Sequence, residues 1–111
     1  MLSDEQHYQL LKALADNPNL SQRQLATELG YSLGKLNYCL KALKEKGWIK
    51  AENFRNSQNK SAYLYKLTPA GVTEKARVTR RFLQRKLEEH ERIEQEIEAL
   101  KQEVAAQATQ T

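Results

Sequence analysis

Between Ser32 and Lys41 the sequence reads SLGKLNYCLK, and five of its side chains concentrate hydrogen-bonding chemistry: Ser32, Lys35, Asn37, Tyr38 and Lys41. An asparagine offers one donor and one acceptor to an adenine edge. A lysine reaches guanine O6/N7 or a phosphate, and a tyrosine packs on a thymine methyl or donates its hydroxyl to phosphate. A second basic pair, Arg55 and Lys60, brackets the polar stretch RNSQNK; cations there suit a phosphate or a minor groove. Upstream, Ser21 and Gln22 open a segment whose N-terminal N–H groups attract anions. No bond-making constellation accompanies these residues. His7 and His90 lie far apart in the sequence, and Cys39 has no nearby Cys or His with which to build a metal set. There is no phosphate-binding glycine loop and no acid pair framed for hydrolysis. The expectation is a binding protein rather than an enzyme, with no metal and no cofactor.

The local signals show which elements must position these side chains. Ser3 caps a first helix carrying Asp4 and Glu5 in its first turn, where the helix dipole favours anions, and Leu10, Leu11 and Leu14 recur at helical spacing. Asn17-Pro18-Asn19 ends it. Ser21 and Gln24 then form the capping box S-x-x-Q of a short helix that Gly30 terminates. Ser32 caps a third helix, on which Leu36, Leu40 and Leu43 recur at i, i+4 and i+7 as the core-facing stripe, with Leu33 one turn earlier. Cys39 is expected to flank that core. If the leucines face inwards, Lys35, Asn37, Tyr38 and Lys41 lie outside or on the flanks. Gly47 closes the helix.

Trp48–Asn53 and Ser61–Leu67 alternate apolar and polar residues, as strands do. The seven residues FRNSQNK between them predict a hairpin with a basic tip. Two helices joined by a tight glycine turn, with such a hairpin behind them, are the helix-turn-helix signal with a wing.

Thr68-Pro69 then opens a helix in which neither proline nor glycine recurs from Val72 to about Ala106. Such a helix is about 50 Å long at 1.5 Å per residue, more than a small body can cover. Val72, Ala76, Thr79, Leu83, Lys86, His90, Ile93, Ile97, Leu100 and Val104 alternate by four and three along it, a heptad seam. Val72 and Ala76 are expected to pack on the chain's own body. Leu83, His90, Ile93, Ile97, Leu100 and Val104 are expected to meet a second copy. The fold class is therefore mainly α with a small β-hairpin. Residues 1–71 form a winged helix-turn-helix, 72–106 a long dimerisation helix and 107–111 a disordered tail.

Charge divides the same way. Residues 1–86 carry 16 Lys/Arg against 7 Asp/Glu, whereas residues 87–111 carry 2 against 7. A basic body with an acidic end points to a polyanion partner for the body alone. The single cysteine excludes an intrachain disulfide, the N-terminus lacks the pattern of a secretory signal, and no apolar run approaches a membrane span. The expected location is the cytoplasm.

The run LLKALADNPNLSQRQLATELGYSLGKLNYCLKALKEKGWIK, the hairpin, LTPAG and the helix through IEQEIEAL resemble MarR-type winged helix-turn-helix transcriptional regulators. They resemble more narrowly the short members associated with bacterial exopolysaccharide (EPS) gene clusters. The resemblance covers residues 5–100. It implies a homodimer on double-stranded DNA at a pseudo-palindromic operator, with the third helix in the major groove. Ser32, Lys35, Asn37, Tyr38 and Lys41 would form the recognition face, and Arg55 and Lys60 the wing contacts. One departure is that the first helix begins at Ser3, without the extra leading helix common in that family. Nothing in the sequence identifies a small-molecule effector. The alternative reading is a protein-interaction adaptor built on the same fold.

Overall fold

The computed structural model describes residues 2–55 and 61–109 and runs α1 (Asp4–Asp16), α2 (Gln22–Leu29), α3 (Leu33–Glu45), β1 (Ile49–Arg55), β2 (Ser61–Leu67) and α4 (Pro69–Thr109). Each helix start is specified locally. Ser3 and Gln6 form a reciprocal capping box on α1, and Ser21 and Gln24 form one on α2. Ser32 Oγ accepts the Lys35 N–H at 3.1 Å to open α3. Each box satisfies two backbone donors that the helix itself leaves unpaired. Gly30 ends α2 at φ 72° and Gly47 ends α3 at φ 77°, both in the left-handed region that a side chain disfavours.

The core is a short inventory of apolar side chains. Leu10, Leu11, Ala13 and Leu14 of α1 meet Leu25 and Ala26 of α2 and Leu36, Cys39, Leu40 and Leu43 of α3, with Ile49 and Val78 completing the cluster. Each fully buried leucine stabilises the fold by about 1.5–3 kcal/mol relative to exposure. Leu33 is the exception among the α3 leucines, since it is 44% exposed. At about 100° per residue it lies within about 20° of Leu40 on the same stripe, but it is the first residue of α3, at the end of the helix, where the core does not cover it.

β1 and β2 pair antiparallel from Ile49↔Leu67 to Arg55↔Ser61. Phe54 and Arg55 continue β1, so the first strand is longer than expected and the seven-residue loop FRNSQNK is shortened at its start. Tyr65 and Leu67 lean on the core. On the outer side Glu52 bridges Lys66 at 3.2 Å and Lys50 at 3.4 Å, and the Lys66 ammonium, seconded by Lys50, holds its carboxyl below the usual glutamate range.

Backbone and hydroxyl contacts lock the root of the hairpin to the start of α4. Thr68 N–H donates to Trp48 O at 3.0 Å, Thr68 Oγ1 donates to Gly47 O at 2.5 Å, and Gly71 N–H donates to Thr68 Oγ1 at 3.0 Å. An added Cβ at Gly71 would stand 1.9 Å from Trp48 O. Gly71 is therefore required by a close backbone approach, a reason invisible in the sequence. Trp48 itself stacks on His7 with ring centroids 5.5 Å apart.

The chain divides into two compact units, Met1–Thr79 and Arg80–Thr111. The first turns of α4 belong to the first unit because Gly71, Glu74 and Val78 are buried there. Arg77 meets the Glu74 carboxylate with two hydrogen bonds, of 2.9 and 2.5 Å, neutralising the one buried charged side chain found among the described residues. Because positions 71, 74 and 78 take the inward face, Val72 and Ala76 turn away from it, and Val72 is 58% exposed. The expectation that both pack on their own body is corrected accordingly. The second unit is the rest of α4, which continues to Thr109, so residues 107–109 extend the helix where a disordered tail was expected. Leu83, Leu87, Ile93, Ile97, Leu100 and Val104 each expose between 46% and 64% of their surface.

Substituting Gly71→Ala should cost more than about 2 kcal/mol in urea unfolding, because the obstructing atom is backbone and the helix must shift bodily. A loss under about 0.5 kcal/mol would show that α4 does not depend on this approach.

Candidate nucleic-acid interface

The burial of Leu36, Leu40 and Leu43 determines what α3 presents outwards. Gly34, Tyr38 and Lys41 lie opposite that stripe and are exposed, Tyr38 by 68%. Lys35 and Asn37 are exposed on the two flanks. Each flank residue has a partner that steadies it. The Lys35 ammonium sits 4.3 Å from the centroid of the Tyr31 ring, a cation–π contact with a residue of the α2–α3 turn. On the other flank Gln22 Nε2, at the start of α2, donates to Asn37 Oδ1.

The Gln22–Asn37 bond brings together two residues that the sequence places 15 positions apart. With Oδ1 engaged, the amide NH2 of the exposed Asn37 remains as a donor. Such a group donates to a base-edge acceptor such as adenine N7, guanine O6/N7 or thymine O4. Bidentate adenine pairing by Asn37 then shares its acceptor oxygen with Gln22, which is a narrower role than residue type alone implied.

Ser21 and Ser32 serve first as caps. Ser21 Oγ accepts the Gln24 N–H at 3.2 Å, and Ser32 Oγ the Lys35 N–H. The start of α2 thus combines a capped N-terminus with an amide side chain that reaches α3. Of the wing residues, Arg55 closes β1 opposite Ser61, and Lys60 lies outside the described residues. Lys50 and Lys66 are committed to Glu52.

Sequence reasoning passed over two members of this surface. Gly34 shares the outer face with Tyr38 and Lys41, at i+4 and i+7, so the spacing itself was the available signal. Tyr31 was hidden because its ring acts through Lys35. Burial, followed by the negative field that a Cys39 thiolate would exert, pushes its phenol above the ordinary tyrosine value.

Cys39 lies on the inward side, 3% exposed within the core. Burial pushes its thiol up and outweighs the opposing field of Lys35. The electropositive, accessible setting of a reactive thiol is therefore missing. Among the described residues no group of three His, Cys, Asp or Glu is placed to hold a metal ion. No helix among them is long and apolar enough to cross a membrane.

Comparison with known proteins agrees with this geometry. Residues 3–50 match the family model for winged helix-turn-helix DNA-binding domains. Among solved structures, the chain is similar to the wild-type apo form of MarR from E. coli, with 26% identity and a TM-score of 0.57 over 67% of this chain and 53% of that one. It is similar to the transcriptional repressor CouR bound to a 23-mer DNA duplex, with 26% identity and a TM-score of 0.56 over 66% of this chain and 50% of that one. It also shares its fold with the PcaV transcriptional regulator from Streptomyces coelicolor, at 24% identity and a TM-score of 0.60 over 70% of this chain. The chain spans about half the length of these proteins, 54% in the case of PcaV in complex with its natural ligand. Comparison with curated protein sequences found no match. The fold is thus that of a winged helix, residues 3–50 carry the match to the DNA-binding model, and the proteins the chain resembles are transcriptional regulators rather than enzymes.

Iodoacetamide should leave Cys39 unmodified in the native protein and label it fully in denaturant. Rapid native labelling would show that the thiol is accessible. A double-mutant cycle of Gln22→Ala and Asn37→Ala, read as duplex affinity, should show a coupling above about 0.5 kcal/mol, as expected for groups in direct contact. Additive losses would mean that Gln22 does not steady Asn37.

Proposed function

We propose that the chain is a DNA-binding transcriptional regulator of MarR type that acts in the cytoplasm by occupying a pseudo-palindromic operator as a homodimer. The observation that carries the proposal is the outer face of α3. It is exposed, cationic and furnished with amide and phenol groups, and it stands opposite a fully buried leucine stripe.

The roles follow from chemistry. Asn37 and Lys41 read base edges in a major groove, with Tyr38 packing on a thymine methyl or donating to phosphate. Lys35, steadied by Tyr31, neutralises a phosphate on one flank. Ser21 and Gln22 set the α2 N-terminus against the backbone, where partial positive charge favours an anion. Ser32 acts through the cap that holds the first turn of α3. Arg55 and Lys60 are the wing contacts. Leu83, His90, Ile93, Ile97, Leu100 and Val104 join two copies, so that the second half-site engages intramolecularly. The likeness to the exopolysaccharide-associated subgroup extends the proposal to operators beside such gene clusters.

The test is a gel shift with the DNA upstream of the chain's own gene across a salt series. Affinity should fall steeply with salt, because each neutralised phosphate releases a counterion. Asn37→Ala should cost about 1–3 kcal/mol on the preferred sequence and little on unrelated DNA, whereas Lys35→Ala should weaken binding to all sequences alike. No binding at any salt would overturn the proposal and return the fold to the class of protein-interaction adaptors.

A further inference from the structure

We infer that two copies pair through α4 in antiparallel direction, with Leu83 of each chain against Ile93 of the other. The inference rests on the homodimer reading above and adds the direction and register of the pair. Its starting point is the exposed apolar stripe of α4, which the chain does not cover: Leu83, Ile93, Ile97, Leu100 and Val104 all lie between 46% and 64% exposed. Sustained apolar positions at heptad spacing are satisfied by another helix of the same pattern.

Two observations select the occupant and its direction. The first is charge. Residues 75–86 of α4 carry six Lys/Arg and no acid, and residues 87–103 carry seven Asp/Glu against two Lys/Arg. A parallel pair lays cation beside cation and acid beside acid along its whole length. An antiparallel pair lays each basic run along the partner's acidic run, so the helix is complementary to a reversed copy of itself. Like charges at close quarters are unfavourable, and opposite charges favourable, in either geometry.

The second is the identity of the residues along the seam. In a parallel pair Lys86 faces Lys86 and His90 faces His90 in the same core, a stack of self-opposed polar groups. Reversal centred on residue 88 removes both self-pairs. It sets Lys86 opposite His90 instead, and gives every large apolar side chain of the seam an apolar or small partner. Leu83 meets Ile93, Ile97 meets Thr79, Leu100 meets Ala76 and Val104 meets Val72 of the second copy. Val72 is 58% exposed, so this register also covers the apolar residue that turned away from its own body. Large residues against small ones interdigitate at native packing density.

Distance measurement by pulsed electron resonance decides the direction. The full chain is spin-labelled at a single introduced thiol, Gln84→Cys in one sample and Gln102→Cys in another. The unsubstituted chain, with its buried Cys39, is the unlabelled control. Antiparallel pairing centred on residue 88 places the two 84 labels within about 30 Å and the two 102 labels more than about 40 Å apart, from 1.5 Å of rise per residue. Equal short distances at both sites mean a parallel pair, which overturns this inference and leaves the homodimer intact. The absence of any label–label distance at micromolar protein means no pair forms, and the homodimer reading falls with it.

Discussion

Burial of Leu36, Leu40 and Leu43 against α1 and α2 is the constraint from which the rest of the first unit follows. A helix has one orientation that puts these three inside. Once it is adopted, the opposite side is committed to solvent or to a ligand. The interior comprises a dozen buried apolar residues among the described ones, and α3 turns only its Leu36–Leu40–Leu43 side, with Cys39, towards it. Cys39 joins the buried side as a small apolar residue, and the same geometry that hides its thiol exposes Tyr38 next to it in sequence.

The outer face is ordered as well as exposed. Its flanks are tied to neighbouring elements, Lys35 through the ring of Tyr31 and Asn37 through Gln22 of α2. Long polar side chains lose conformational freedom when they bind, and contacts that restrain them in the free protein reduce that cost. The helix-turn-helix is thereby more than a scaffold, because its first helix reaches across to steady a side chain on its second.

α4 answers two different demands in one continuous run. Its first turns are set by contact with the hairpin root, where Gly71 clears the Trp48 carbonyl and Glu74 is neutralised by Arg77. Its later turns leave Leu83, Ile93, Ile97, Leu100 and Val104 about half exposed or more. Their apolar residues are spaced for a helix surface rather than for a globular core, and the charges around them change sign near residue 87.

Much of this was determined by the sequence alone. Caps at Ser3, Ser21 and Ser32, left-handed glycines at 30 and 47, the leucine stripe of α3, the span of β2 and the unbroken run of α4 from Pro69 past Ala106 all arise from interactions within a few residues of one another. Local spacing carries them without reference to the fold. The tertiary structure decided what depends on residues distant in the chain. It turned Val72 outwards by giving the inward face to Gly71, Glu74 and Val78. It placed Leu33 beyond the reach of the core, extended β1 through Arg55 by pairing it with Ser61, and brought Gln22 to Asn37. In each case the deciding neighbour lies far along the chain or on the other side of a packed surface, and only folding brings such neighbours within the few ångströms over which packing and hydrogen bonding act.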